Sequence, residues 1–138
     1  MVKVASISRD QHAKDLSQSI EDVRQAQMAI EGLKRGVKLA RARFNLDHGA
    51  VVDPQTLALY ERYYHMRSEE VRRLTSSLVT LNEEVERRRA TLRESLKELK
   101  TYEKRREQLI EEHHQAQRTA EGRRIDEFAI RGFAHGEQ

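Results

Sequence analysis

The residues best suited to chemistry in this sequence are two glutamates followed by two histidines, Glu111-Glu112-His113-His114. A zinc site on one helix needs two histidines four residues apart, so that both imidazoles face the same ion. Adjacent histidines point about 100° apart around a helix and cannot do this. The sequence also has no phosphate-binding glycine-rich loop and no Gly-x-Ser-x-Gly motif. We therefore expect no metal site, no cofactor and no catalytic residue.

Basic residues are the second candidate, because binding to a phosphate backbone needs a continuous positive patch. Residues 34–43 contain five basic residues and no acid, but no base-reading motif accompanies them. The whole chain has 26 basic and 23 acidic residues, a net charge of +3. A nucleic-acid-binding hairpin is therefore the least favoured of the functions considered, and no nucleic acid is expected as a partner. The five basic residues are Lys34, Arg35, Lys38, Arg41 and Arg43.

The composition is unsuited to a compact globular core. Of the 138 residues, 37% are hydrophobic, 36% are charged and none is cysteine. This balance suits a thin pair of helices with one buried line of contact, which we call the seam. No segment is apolar enough for a signal peptide or a membrane span. A soluble, cytoplasmic protein without disulfides is expected.

A long stretch between Gln55 and Glu121 lacks glycine and proline, and as one helix it would be roughly 100 Å long. Alternating steps of three and four residues from Leu57 select nineteen positions, of which fourteen are apolar. Because the mean step is 3.5 residues, this helix is predicted to pair with another helix. The positions are Leu57, Tyr60, Tyr64, Arg67, Val71, Leu74, Leu78, Leu81, Val85, Arg88, Leu92, Ser95, Leu99, Tyr102, Arg106, Leu109, His113, Ala116 and Ala120.

An earlier stretch supplies the partner helix, with six apolar residues among nine positions at the same spacing. Ala26, Leu33 and Ala40 lie one position earlier in the repeat and widen the seam. Gly32 and Gly36 weaken this helix by roughly 1 kcal/mol each. They are either tolerated surface glycines or a place where another backbone comes close. The nine positions are Leu16, Ile20, Val23, Gln27, Ile30, Lys34, Val37, Arg41 and Phe44.

The two helices are separated by helix stop and start residues. Asn45 and Gly49 favour a C-terminal end, while Asp53-Pro54 favours a new N-terminus. A short connection returns the second helix antiparallel to the first. We predict an all-α fold, one antiparallel coiled-coil hairpin domain over residues 1–138. Its parts are helix 1 at about 8–45, a turn at 46–53 and helix 2 at about 54–130.

The arms of this hairpin are unequal. If residue i lies opposite about residue 99 minus i, helix 1 covers helix 2 only as far as about Arg89–Leu96. The stripe from Leu99 onward then has no cover within the chain. A bare stripe of this length needs a partner. Insertion into another protein is one interpretation. Self-association as a homodimeric four-helix bundle is the alternative.

The C-terminal third carries a more specific pattern. Glu103-Lys104-Arg105-Arg106-Glu107 is followed by Arg123-Arg124-Ile125-Asp126-Glu127-Phe128-Ala129. The basic pair, the apolar residue, Asp-Glu, and then an apolar residue and alanine are similar to the C-terminal ending of one known family. With its size, lack of cysteine and unequal hairpin, the chain resembles the FliJ family of flagellar type III export proteins and their YscO-like injectisome relatives.

This resemblance implies a non-enzymatic role in flagellum biogenesis. Members resemble the central stalk of rotary ATPases, insert into a hexameric type III export ATPase, and promote its assembly and activity. They also contact the cytoplasmic domain of the export gate and exchange export chaperones, at the inner face of the cell membrane. By position, the resemblance implies a gate contact at Tyr63, Arg67, Glu70 and Leu74. We expect the tip that binds the ATPase ring at Arg123, Arg124, Asp126, Glu127 and Phe128.

Overall fold

The computed structural model describes residues 1–49 and 51–136, with side chains up to residue 133. Within these residues the chain forms two helices and no strand: α1, Val2–His48, and α2, Pro54–Gly136. They pack as a helical hairpin, which confirms the predicted all-α fold. Neither described helix contains a stretch apolar enough to cross a membrane. Ala50, in the expected turn, and residues 137–138 lie outside the described residues.

Helix α1 is longer at its N-terminus than the sequence pattern indicated. It begins at Val2 rather than near residue 8, and the Ala5 N–H donates to the carbonyl of Met1 at 3.0 Å. Ser6 lies inside the helix, where its hydroxyl accepts a hydrogen bond from the guanidinium of Arg9 at 3.2 Å. The residues before Gly32 include no glycine or proline, so nothing in the local sequence prevents the helix from starting at Val2.

One backbone hydrogen bond marks the end of α1 and another marks the start of α2. The Gly49 N–H donates to the Asn45 carbonyl at 3.1 Å, and Gly49 has a left-handed φ of 56°. Asn45 is therefore helical, and Gly49 alone ends α1, because glycine adopts this backbone conformation without strain. On the other side, the Leu57 N–H donates to the Asp53 carbonyl at 3.0 Å, so α2 begins at the predicted proline.

The chain divides into two compact units. Of the described residues, one unit contains 1–9 together with 95–136, and the other contains 10–49 and 51–94. In the second unit three contacts join the helices in antiparallel order. The Phe44 and Tyr60 rings stack, the Arg41 guanidinium lies over the Tyr64 ring, and Arg88 forms an ion pair with Asp15.

The seam side of α2 agrees with the predicted stripe over most of its length. From Tyr60 to Tyr102 every position at the alternating three- and four-residue spacing is buried or half-buried. Polar members of the stripe are included, because Ser95 is among the most buried residues and Arg88 is half-buried. The heptad pattern therefore identified the correct face of α2.

The seam side of α1 differs from the predicted stripe at four positions, although Ala26, Leu33 and Ala40 do lie in the seam that they were predicted to widen. Ser19 is only 8% exposed, whereas the predicted seam residue Ile20 is 45% exposed. The same shift by one residue recurs at each following heptad. Three of the four residues brought into the seam are small, which leaves room there for the larger side chains of α2. The side chains that occupy the seam are Ser19, Ala26, Leu33 and Ala40, and those outside it are Ile20, Gln27, Lys34 and Arg41.

The register between the helices also differs from expectation. The numbers of the three contacting pairs add up to 104, 105 and 103 rather than 99. Because α1 extends three residues past Asn45 before the turn, each of its residues lies opposite a later residue of α2. The predicted end of cover near Arg89–Leu96 is therefore wrong. In the first unit Leu99 is only 5% exposed and Ala5 is also buried.

The two glycines inside α1 lie in open space. A Cβ atom added at Gly32 or Gly36 would have no neighbouring atom within 4 Å. Within this chain, therefore, neither glycine marks the close approach of another backbone.

We expect Gly32→Ala to raise the free energy of unfolding by about 1 kcal/mol, because alanine is the better helix former. Gly49→Ala is the matched control and should lower it by about 1 kcal/mol, since a side chain at φ 56° is strained. Chemical denaturation of the three chains measures both changes. A destabilised Gly32→Ala chain would contradict the open environment of Gly32.

Candidate functional site

The part of α2 beyond Tyr102 is the main uncovered surface of the first unit. Every residue from 103 to 133 is exposed, except Gly122, which is half-buried. We call residues 103–133 the overhang; as a helix it is about 45 Å long. Its apolar stripe continues through Leu109, which is 54% exposed. The expectation of an apolar arm without intrachain cover therefore holds for Leu109 but not for Leu99 and Tyr102.

An open groove lies where the overhang begins. It has a volume of about 650 Å³ and is lined on one side by Met1 and Val2 and on the other by Tyr102, Leu109 and Ile110. The groove is mainly apolar, and basic side chains of α2 stand along it. This end of the first unit therefore joins a small apolar surface to the exposed helix that follows.

The predicted tip residues all lie on the exposed part of the overhang. Phe128 is 81% exposed, and the four charged residues are also exposed. Ile125 stands one turn before Phe128, and Ala129 and Gly132 complete the same face at helical spacing. The sequence reasoning missed Ile125, although its spacing of three residues from Phe128 was the available signal.

The charges of the tip have no partners within the described part of the chain. Arg123, Arg124, Asp126 and Glu127 form no ion pair there, whereas Arg118, further back on the overhang, binds Glu111 at 3.0 Å. On the helix Arg123, Asp126 and Glu127 share the side opposite Ile125 and Phe128. The tip is thus an amphipathic helical end whose apolar and charged sides are both available to a partner.

The proposed gate-contact residues form a connected group near the start of α2. The Arg67 guanidinium donates to the Glu70 carboxylate at 2.8 Å and lies 5.3 Å from the centre of the Tyr63 ring. The hydrogen bond to Glu70, and then that to Tyr63, raises the pKa of Arg67 above its usual value. Arg67 and Leu74 occupy seam positions, and all four residues are half-buried.

A cluster of aromatic rings holds the two helices together beside this group. The ring centres of Phe44 and Tyr60 are 4.0 Å apart, and the Tyr60 hydroxyl donates to the Tyr64 hydroxyl at 2.6 Å. Desolvation and then this hydrogen bond raise the pKa of Tyr60 to about 12. The neutral phenol is thus the form that the folded hairpin favours.

This cluster predicts a tyrosine that titrates unusually late. Ultraviolet titration should show one tyrosinate appearing near pH 12, and Tyr60→Phe should remove that step. Because the pKa of Tyr60 is raised on folding, its contribution to stability is complete below about pH 10 and is lost as the pH rises towards 12. If the step near pH 12 persisted in the Tyr60→Phe chain, the assignment to Tyr60 would be wrong.

The two adjacent histidines are exposed and lie on different sides of α2. Their ring centres are 6.3 Å apart. Within residues 1–49 and 51–136 no group of three histidine, cysteine, aspartate or glutamate side chains has the arrangement of a metal site.

Taken together, the seam, the register and the overhang define an all-helical hairpin whose longer arm presents an uncovered helical end. The sequence model of the family described as Flagellar FliJ protein matches residues 1–138, so the chain belongs to the FliJ family. Membership makes it a structural component of the flagellar export apparatus, of the stalk type. No curated protein and no solved structure matches the chain significantly.

Proposed function

We propose that the protein acts as the stalk of the export ATPase, with the overhang inserted into the pore of the hexameric ring. There it promotes assembly of the ring and hydrolysis of ATP without doing chemistry itself. The observation that carries this proposal is the exposure of every side chain from residue 103 to 133 outside Gly122. Six large apolar side chains are exposed along this length, and their exposure is costly unless another protein covers them.

The charge pattern of the tip supports insertion into a ring. A ring of identical subunits presents the same surface several times, so a helix inside it needs tolerance rather than one exact fit. Unpaired charges of both signs beside Ile125 and Phe128 give steering and modest, salt-sensitive affinity. These properties suit a helix that has to turn or shift within its binding partner.

The other proposed contacts lie at the turn end of the hairpin. We propose that Tyr63, Arg67, Glu70 and Leu74 bind the cytoplasmic domain of the export gate, and that the protein also exchanges export chaperones. These roles place it in the cytoplasm, peripherally at the inner face of the cell membrane. The ion pair of Arg67 with Glu70 holds the Arg67 side chain across the Tyr63 ring, so the group is already ordered before a partner arrives.

The direct test is to add the purified chain to its cognate export ATPase and measure hydrolysis and ring formation. We expect both to rise with the amount of chain added, up to one chain per hexamer. Unchanged hydrolysis together with unchanged ring assembly would refute the stalk function.

Tyr63→Ala tests the gate contact separately. Tyr63 is at the flank of the seam and half-buried, so its removal should change helicity and thermal stability little while weakening gate binding by about tenfold. Circular dichroism and a binding titration with the gate domain give the two measurements. A large fall in melting temperature would show that Tyr63 is structural.

A homodimeric four-helix bundle is the second candidate, favoured by the apolar groove formed by Met1, Val2 and Leu109. In that case two copies would cover each other's overhangs. Sedimentation equilibrium separates the two functions, because a stalk is a single chain in solution, whereas a bundle has twice the mass. A tight dimer that fails to bind the ATPase would establish the second function.

A further inference from the structure

Helix α1 carries a second stripe that the hairpin does not use. Its members follow one another in alternating steps of four and three residues, which is the spacing of a coiled-coil contact line. This stripe runs in parallel with the seam positions of the same helix but is offset from them around its axis. We call it the outer stripe; its members are Met28, Gly32, Arg35, Leu39, Ala42 and Leu46.

The outer stripe lies on the side of α1 that points away from α2. Each residue advances about 100° around a helix, so Leu39 stands roughly 160° from Val37 and 140° from Phe44, two seam residues. Leu39 is 65% exposed, and Met28 and Leu46 are also exposed. Apart from the hydrogen bond that the Arg24 guanidinium donates to the Met28 sulfur at 3.4 Å, these large apolar side chains have no cover in the second unit.

Charge separates this face from the rest of the protein surface. Over residues 28–46 there are five basic residues and one acidic residue, Glu31, although the chain as a whole is nearly balanced. Arg35 belongs to the outer stripe, Lys38 precedes Leu39, and Arg43 follows Ala42. None of these three forms an ion pair within the described part of the chain. Their charge is therefore available to a partner.

The small members of the stripe leave room for close approach. The position where a Cβ of Gly32 would stand has no atom within 4 Å, and Ala42 carries only a methyl group. A helix laid along this face reaches the backbone of α1 at these two points, between the larger contacts of Met28, Leu39 and Leu46.

We propose that the outer stripe is a docking surface for an amphipathic helix of another protein, with leucine-type residues at heptad spacing and acidic residues on both flanks. The spacing selects a helix, and the uncompensated Arg35, Lys38 and Arg43 select acidic flanks. This surface is distinct from the overhang and from the group around Tyr63, and it does not depend on the proposed stalk function.

Two other occupants fit the stripe less well. A second copy of α1 would bring the same basic flanks together, and like charges across a helical contact are unfavourable. A helix that lies in a membrane surface exposes a broad apolar face. The outer stripe is instead only about two positions wide in seven and includes Arg35.

A synthetic helix provides a defined probe. We would use a labelled peptide of roughly three heptads, with leucine at the two contact positions and glutamate at both flanking positions. Its binding to the full chain is measured by fluorescence anisotropy at several salt concentrations. We expect saturable binding that weakens as salt rises.

Single variants then locate the bound peptide. Leu39→Gln should weaken binding by about tenfold, because a buried leucine contact is lost. The double variant Lys38→Glu, Arg43→Glu should weaken it further and remove most of the salt dependence. Leu59→Gln is the matched control, since Leu59 is a leucine of α2 with a similar exposure of 67%. It should leave the affinity unchanged.

Several results would overturn the proposal. Unchanged binding by the Leu39→Gln chain would place the peptide elsewhere, for example on the overhang. Equal binding of a peptide with the same composition but scrambled spacing would reduce the effect to charge alone. No peptide binding, combined with Leu39-dependent binding to anionic vesicles, would make the surface a membrane contact. A dimer lost in the Leu39→Gln chain would make it a self-association face.

Circular dichroism confirms that each variant is folded, and Leu46→Gln provides a second variant of the stripe.

Discussion

Cutting the chain after Glu121 is expected to leave a folded hairpin that no longer stimulates the export ATPase. Among the described residues, which have side chains up to residue 133, the cut removes no buried side chain, because each one beyond Glu121 is exposed and Gly122 has none. It does remove the whole tip, including Ile125 and Phe128. Hydrolysis by the ATPase should therefore fall to about its basal rate, while circular dichroism and thermal unfolding of the hairpin core change little.

A charge reversal tests the same tip without shortening the helix. Arg123→Glu with Arg124→Glu keeps good helix formers at both positions but inverts the local charge. We expect the same loss of stimulation. The control is Arg72→Glu with Arg73→Glu, a second adjacent pair of exposed arginines on α2, although Arg72, unlike the tip arginines, forms an ion pair, with Glu69 at 3.3 Å. Full stimulation by either tip variant would mean that the ATPase contact lies on another part of the hairpin.

The sequence predicted α2 better than α1, and the difference has a physical cause. Large apolar residues repeat along the seam of α2, so periodicity alone locates the correct face. Along α1 every second seam position except Leu33 is small, as at Ser19 and Ala26, while Ile20 stands next to Ser19 on the outside. A stripe chosen by hydrophobicity therefore follows Ile20, although the packing of the seam uses Ser19.

The register was wrong because it depends on where α1 ends. Asn45 and Gly49 are both residues that commonly end helices. Taking the earlier one, Asn45, as the end of α1 shifts every facing pair of residues by several positions. The left-handed conformation of Gly49 shows which residue ends α1. The exposed tip, in contrast, was predictable from its sequence pattern, since it depends on no contact within the chain.

The outer stripe was hard to recognise in the sequence because a stronger pattern lies beside it. Its spacing is visible in the sequence, but its apolar positions are few and include Arg35 and Gly32. Beside the stronger seam pattern they resemble ordinary surface residues. Only after the seam is fixed at Leu33, Val37 and Phe44 does the remaining heptad spacing on the far side of α1 become a separate feature.

The corrected register leads to the largest expected change in stability. Leu99 is 5% exposed, so Leu99→Ala should lower the free energy of unfolding by about 2–3 kcal/mol, through lost burial and the cavity that remains. Leu78 is only half-buried, and Leu78→Ala should cost less. Chemical denaturation of both variants, followed by circular dichroism, measures the two changes.

Leu109→Ala is the matched control, because Leu109 continues the same stripe of α2 but is 54% exposed. Its effect on unfolding should stay within about 0.5 kcal/mol. If the cover by α1 stopped opposite Arg89–Leu96, Leu99 would be exposed on an unpaired part of α2 and would behave like Leu109. Equal, small effects at the two leucines would therefore restore the shorter register. A large effect at Leu99 alone instead places the start of the uncovered arm after Tyr102. Beyond that residue a binding partner has to cover the apolar stripe.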